Sequence, residues 1–294
     1  MVIVKLQGGL GNQMFQYAAG KALAVKYQTS LKCDLNFLLD RTLHNVVFRD
    51  YDLDIFPNIS FPPANDAEIR SLTQKSNIDL INRIIRRTIG IQSYYKELSF
   101  AYNKNFEKLP SSVYLNGYWQ SEKYFKSIEA DIRKDFSFAP FTVRDNNDLK
   151  QQILSTDSIC LNVRRGDFVN HSGSASTHGF VGLQYYTDGM NLLNSKINNP
   201  HYFIFSDDVE WCRDNLKIEK AVTLVDHHHA GKKFADYLQL MTACKHFLIP
   251  NSSFAWWAAW LSLNESKIVV APKKWFADPS YDTSDVLPSS WIRI

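Results

Sequence analysis

The chain opens on Val2-Ile3-Val4-Lys5-Leu6-Gln7-Gly8-Gly9-Leu10-Gly11-Asn12-Gln13-Met14-Phe15-Gln16-Tyr17, and the reading of this stretch decides the fold. A short run rich in β-branched residues gives way to a glycine loop, and a helical stretch led by Asn12 then runs to about Tyr27. A second apolar run over residues 30–35 completes strand, loop, helix and strand, with the glycines at the carboxyl end of the first strand. Gly9-Leu10-Gly11 with Asp34 downstream is also the beginning of a dinucleotide fingerprint, which points to an NAD-dependent dehydrogenase. Met14 stands where that fingerprint needs glycine or alanine for close packing of helix on strand, so the dehydrogenase is the weaker reading.

The second half is more regular. Apolar runs at residues 159–163, 202–205, 222–225, 247–249 and 268–271 alternate with helix-like patterns at 210–216, 234–244 and 254–263, the signature of a parallel α/β sheet. Between the halves, residues 50–148 carry no clear period. Residues 78–91 place Ile81, Ile84 and Ile85 at helical spacing among Arg83, Arg86 and Arg87, which reads as an amphipathic helix with a solvated basic face. The polar stretch 144–152 is the expected boundary, giving an N-terminal α/β domain over 1–150 and a C-terminal one over 151–294.

Composition narrows the function. The 294 residues, 45% of them hydrophobic, suffice for two cores. A net charge of +3 is too slight to suggest nucleic acid. No run approaches the ~20 apolar residues of a membrane span, and the N-terminus lacks the pattern of a signal peptide. The expectation is a soluble, cytoplasmic protein with at most peripheral membrane contact. Cys33, Cys160, Cys212 and Cys244 form no CxxC pair and read as buried thiols.

Chemistry is expected in the turns that follow the strands. Asn162-Val163-Arg164-Arg165-Gly166-Asp167 ends one of them, and two adjacent guanidiniums match the oxygens of a diphosphate. Ser206-Asp207-Asp208 ends the next, where Ser206 or Asp207 is placed to cap a helix and the acidic pair invites a metal. With the arginines present no divalent ion is required. Pro250-Asn251-Ser252-Ser253 precedes the aromatic helix of Trp256, Trp257 and Trp260, and a helix start of this kind is an anion site. Asp236 lies on a helix from which it can meet a nucleoside. His227, His228 and His229 are consecutive, cannot easily converge on one ion, and read as polar loop residues.

Residues 6–17, Val163-Arg164-Arg165-Gly166-Asp167, Asn251-Ser252-Ser253-Phe254-Ala255-Trp256-Trp257-Ala258-Ala259-Trp260-Leu261 and Ala271-Pro272-Lys273-Lys274-Trp275-Phe276 together resemble the bacterial α-1,2-fucosyltransferases of glycosyltransferase family 11. The resemblance implies two Rossmann-like α/β domains facing a cleft (GT-B type), GDP-fucose as donor, and inverting transfer to O2 of a galactose on an oligosaccharide or lipid-linked glycan, without cofactor or metal. It implies that Arg164 holds the β-phosphate with support from Arg165, that Asp207, Asp236, Ser252 and Ser253 belong to the nucleotide site, and that Gly11 and Asn12 reach the diphosphate or the sugar. The family often has histidine where this chain has Asn162, which hydrogen-bonds but does not titrate near neutrality. Asp167, or else His178, is then the expected base, although two neighbouring cations lower the basicity of Asp167. A catalytically silent sugar-nucleotide or glycan-binding module is the alternative of a different class.

Overall fold

The computed structural model describes residues 1–42, 47–73, 93–165 and 181–294, which divide into two compact units. One comprises Met1–Ser137 with Ser284–Val286, the other Phe138–Thr283 with Leu287–Ile294. Residues 78–91, Asp167 and His178 lie outside the described residues.

The first unit is a four-stranded sheet in the order β2-β1-β4-β3, formed by β1 (Val2–Lys5), β2 (Leu31–Asp34), β3 (Tyr94–Lys96) and β4 (Val113–Asn116), with every pairing parallel. Parallel strands need crossovers, here including helices α1 (Leu10–Lys26), α2 (Asn36–Leu39) and α3 (Asp66–Thr73); α4 (Glu129–Asp135) follows the sheet. Val2, Ile3 and Val4 are fully buried because both faces of β1 are covered. Ile3 packs with Leu72 of α3. Val4, on the opposite face, meets α1 at Gly20, where any side chain would collide with Val4 and Leu31. The close approach of helix to strand that a dinucleotide fold obtains near position 14 is thus supplied at Gly20, and Met14 is simply buried core.

The second unit holds a six-stranded parallel sheet of β5 (Asp157–Val163), β6 (Pro200–Ser206), β7 (Ala221–Val225), β8 (His246–Leu248), β9 (Val269–Ala271) and β10 (Ile292–Arg293). Its helices are α5 (Asn146–Ser155), α6 (Leu183–Asn194), α7 (Val209–Asn215), α8 (Ala235–Ala243) and α9 (Ser253–Leu261). The expected boundary near residue 150 falls inside α5. That helix belongs to the second unit, since Leu149 and Ile153 are buried and Asn146 bonds to Asp236 of α8. Within the polar stretch 144–152, Asn146 and Leu149 are buried and the other residues are exposed or half-buried.

Alternation along β5 makes the core. Ile159, Leu161 and Val163 pack with Tyr186, Met190 and Leu193 of α6 and Cys212 of α7, all buried. Burying side chains of this size contributes roughly 1.5–3 kcal/mol each, enough to fix the register of the strand and hence the place where it ends. Helix α9 is apolar all round, with Trp256, Trp257 and Trp260 buried and packed ring on ring, so the tryptophans are core and not a sugar platform. All four cysteines are free and buried.

Candidate functional site

The six strands follow the order β10-β9-β8-β5-β6-β7. The chain therefore builds outward from β5 through β6 to β7, then returns to the other side of β5 with β8. The carboxyl ends of β5 and β8 flank the point where the winding reverses, the place at which open α/β sheets bind nucleotides. Arg164 and Arg165 follow β5, and Pro250 to Ser253 follow β8, so both expected anion motifs lie at this one point.

Their local chemistry differs. The backbone N–H of Arg165 donates to Asp207 Oδ1 (2.8 Å), its Nε donates to Asp208 Oδ2 (3.3 Å), and its guanidinium lies 4.0 Å from the ring centroid of Trp211. Arg165 is thereby held by charge and by stacking. Asp208 also caps α7 by accepting from Trp211 N–H at 3.1 Å. The cap is one residue later than expected, because Ser206 Oγ instead accepts from Asp208 N–H (2.9 Å) and turns the chain into the helix. Asp207 and Asp208 thus both bond to Arg165. Among the described residues no group of acidic, histidine or cysteine side chains is arranged to hold an ion.

Asn162 is 8% exposed and donates from Nδ2 to the carbonyl of Phe205 (2.9 Å), lacing β5 to β6 two residues before the arginines. Ser252 is the N-cap of α9, with Oγ accepting from Ala255 N–H at 3.4 Å, and Ser253 is the first residue of that helix. Tyr237, which sequence reasoning passed over, ties the strand tips together: its hydroxyl accepts from Ser206 N–H (2.8 Å) and donates to Val225 O (2.8 Å).

Asp236, expected at the nucleotide, is 3% exposed and turned to the protein. Its Oδ2 accepts from Thr142 N–H (2.8 Å) and Oγ (2.9 Å), Val143 N–H (2.9 Å) and Asn146 Nδ2 (3.1 Å). Four donors on one oxygen make it the fastening of residues 142–146 to α8. The histidines form a one-turn 3-10 helix capped by Asp226, with His229 bonded to Asn146 Oδ1 (2.6 Å) and His227 packed against Phe234 and Tyr237.

In the first unit the glycine loop lies at the carboxyl end of β1. Gly8 has φ +78°, and a side chain there would collide with that of Asn12. Asn12 Oδ1 accepts from Gln120 Nε2 (2.8 Å), and Gly11 is buried in the first turn of α1. Two buried glutamines fix the loop from below. Gln13 donates to Gly8 O (3.0 Å) and Asp50 O (2.8 Å), while Gln16 pairs with both backbone groups of Gln7 (3.1 Å each) and donates to Gly117 O (3.2 Å). Their spacing puts both on one face of α1, a helix that also carries Asn12, Lys21 and Lys26, but it does not name the distant backbone groups they reach. Asp34, which a dinucleotide site would turn to ribose, instead accepts from the Tyr114 hydroxyl (2.6 Å) and Asn36 N–H (2.9 Å).

The family model of glycosyl transferase family 11 matches residues 1–294. The chain belongs to this family. It is 31% identical over 308 aligned residues to an alpha-1,2-colitosyltransferase of Escherichia coli, spanning 100% of this chain and 99% of that one. It is 29% identical to the O-antigen biosynthesis glycosyltransferase WbnK of Escherichia coli, spanning 98% and 99%. Among solved structures, the fucosyltransferase NodZ from Bradyrhizobium is similar at a TM-score of 0.45 and 14% identity, over 87% of this chain and 91% of that chain. The family 11 chain is accordingly a glycosyltransferase of α/β architecture built on two parallel sheets. Among its described residues no helix is long and apolar enough to cross a membrane.

Proposed function

We propose that this family 11 enzyme transfers L-fucose from GDP-β-L-fucose to O2 of a terminal galactose, with inversion and without a metal ion. The observation that carries the reading is the convergence of Arg164, Arg165 and the start of α9 on the switch point of the second sheet. Arg164 meets the β-phosphate. Arg165, braced by Asp208 and Trp211, adds its field, and Ser252, Ser253 and the opening N–H groups of α9 take the remaining oxygens. Asn162 and Asp207 hold the arginine loop in place, and Asp236 anchors the scaffold around it.

The step needs the acceptor oxygen to attack the anomeric carbon opposite the departing phosphate, with positive charge growing on the sugar. Stabilising the leaving diphosphate is then the chief task, and preorganised cations do it with no proton transfer to GDP. Colitose is fucose without its 3-hydroxyl, and the similarity to a colitosyltransferase makes GDP-colitose the second reading of the donor. The acceptor is a galactose-ended precursor of a surface glycan, such as a lipid-linked repeat met at the inner face of the membrane; the likeness to an O-antigen glycosyltransferase supports this.

The test is incubation with each donor and a β-galactoside, with GDP release and product linkage as readouts. A site that hydrogen-bonds the 3-hydroxyl discriminates by about 10⁴ in kcat/KM, whereas one that merely tolerates it separates the two by about tenfold to a hundredfold. Product from neither donor, or activity lost to EDTA and restored by manganese, sinks the proposal.

A further inference from the structure

We infer that Phe234 is the surface on which the nucleoside base of the GDP-sugar donor stacks. The inference rests on the donor reading proposed above and adds a place for the base, wholly within the second unit. Counted from β7, the sheet runs β7-β6-β5-β8-β9-β10, the 3-2-1-4-5-6 order of the doubly wound nucleotide-binding fold. In that order the phosphates meet the loop after the first strand, here β5 with its arginines, and the ribose is met from the end of the second, here β6. The base is thereby directed over β6 toward β7. Adjacent strands stand about 4.8 Å apart, so the tip of β7 lies about 10 Å from that of β5, a span that a diphosphate and a ribose cover.

Phe234 stands in the segment that follows β7, as the last residue before α8, and it is 44% exposed. It and Lys233 hold φ of +62° and +51°, and Gly231 holds +65°. Two consecutive non-glycine residues in the left-handed region are strained, and such strain persists only where the surroundings over-determine it. Here the surroundings are identifiable. Asp236, two residues on, is fastened to residues 142–146 by the four bonds described above, and a side chain at Gly231 would collide with it. An apolar ring turned to water on a strained backbone does nothing for the fold. It gains by meeting a flat partner, and strain of this kind gathers at ligand sites.

The ring is also tied to the phosphate end of the site. Buried Tyr237 packs against Phe234 (6.1 Å between centroids) and His227 (6.0 Å), and His227 stands at 86° to Phe234, 5.3 Å away. Through its hydroxyl Tyr237 is pinned to Ser206 and Val225, the last residues of β6 and β7. Ser206 adjoins Asp207, which accepts from Arg165 N–H (2.8 Å). From the arginines to Phe234 the path therefore follows one carboxyl edge of one sheet. The imidazole beside the ring supplies a donor and an acceptor for the edge of a base.

The experiment uses the full chain and titrates GDP, and inorganic pyrophosphate as a probe without a base, into wild type, Phe234→Ala, Phe234→Gly and Phe234→Trp by calorimetry. Stacking of a base on an aromatic ring is worth about fivefold to a hundredfold in affinity, so Phe234→Ala should weaken GDP by that factor and leave pyrophosphate within about twofold. Phe234→Trp keeps a ring and should hold GDP within about threefold of wild type. Phe234→Gly relieves the left-handed backbone but has no ring, and should bind GDP as weakly as Phe234→Ala. Three results overturn the base site alone: GDP affinity unchanged in Phe234→Ala, equal losses of GDP and pyrophosphate, or recovery of GDP binding in Phe234→Gly. A wild type that binds no GDP overturns the donor reading and the base site with it.

Discussion

Asp236 decides between two roles that the same residue can fill, and removing its carboxylate tells them apart. In Asp236→Ala the four bonds onto Oδ2 vanish together. Thr142 is exposed, so water replaces its partners at little cost, but Val143 N–H is half-buried and Asn146 is fully buried. Each orphaned donor costs about 1–3 kcal/mol, and the charge assistance of the lost bonds places the sum near the upper part of that range for one group plus a share for the other, about 3 kcal/mol in total. For a unit of this size that lowers the melting temperature by roughly 6–12 °C. Urea denaturation followed by circular dichroism measures it, and the midpoint should fall with the slope unchanged. Asp236→Asn, which keeps an acceptor oxygen but not the charge, should lose about half as much. GDP titration of the same variants, at a temperature where all are folded, supplies the second axis. An Asp236→Ala protein that melts within 2 °C of wild type yet binds GDP tenfold more weakly would refute the fastening role and return the carboxylate to the nucleotide.

Arg164→Ala should cut kcat by about a hundredfold, the usual loss for a preorganised electrostatic donor, and leave the melting temperature within a degree or two; wild-type turnover removes Arg164 from the mechanism. Gly8→Ala strains a backbone at φ +78° and drives a methyl into Asn12, so stability should drop by about 1–2 kcal/mol with a larger loss of activity, while an unchanged melt would mean the loop has another conformation. Glu97, whose carboxylate accepts from Tyr118 N–H (2.6 Å) and Trp119 N–H (3.1 Å), has a signature in stability. Burial lifts its folded pKa to about 7, above the unfolded value, so the fold favours the protonated form. The contribution is full below the unfolded pKa and is lost as pH rises through about 7, a fall of roughly 3 kcal/mol that Glu97→Gln should flatten. Denaturation midpoints between pH 4 and 8 measure it.

Much of the second unit was legible because its strands are long enough, or buried enough, to declare themselves. The runs at 159–163 and 202–205 became β5 and β6, and the turns that end them hold the arginines and the acidic pair. The first unit was less so. Its β3 and β4 are only three and four residues long, and Tyr94-Tyr95-Lys96 carries no alternation, since its tyrosines stack within the fold while the lysine is exposed. Several of the side chains expected at the nucleotide also hold the frame. Asp236 and Asn162 are spent on protein partners, and Tyr237, Gln13, Gln16 and Glu97, which organise the loops, carry no motif because their partners are backbone groups far away in the chain. Spacing reports neighbours along a strand or helix; it is silent on a glutamine that reaches a carbonyl 101 residues away.

The chain's last stretch makes the units hard to separate by editing. Ser284–Val286 count with the first unit, where Asp285 accepts from Tyr102 N–H (2.9 Å) and pairs with Lys123, while Leu287–Ile294 return to the second and supply β10. A chimera between relatives made by a single junction near residue 137 would therefore inherit a mismatched lock at 284–286. Such grafts need two seams, or the donor parent's tripeptide carried along with its own domain.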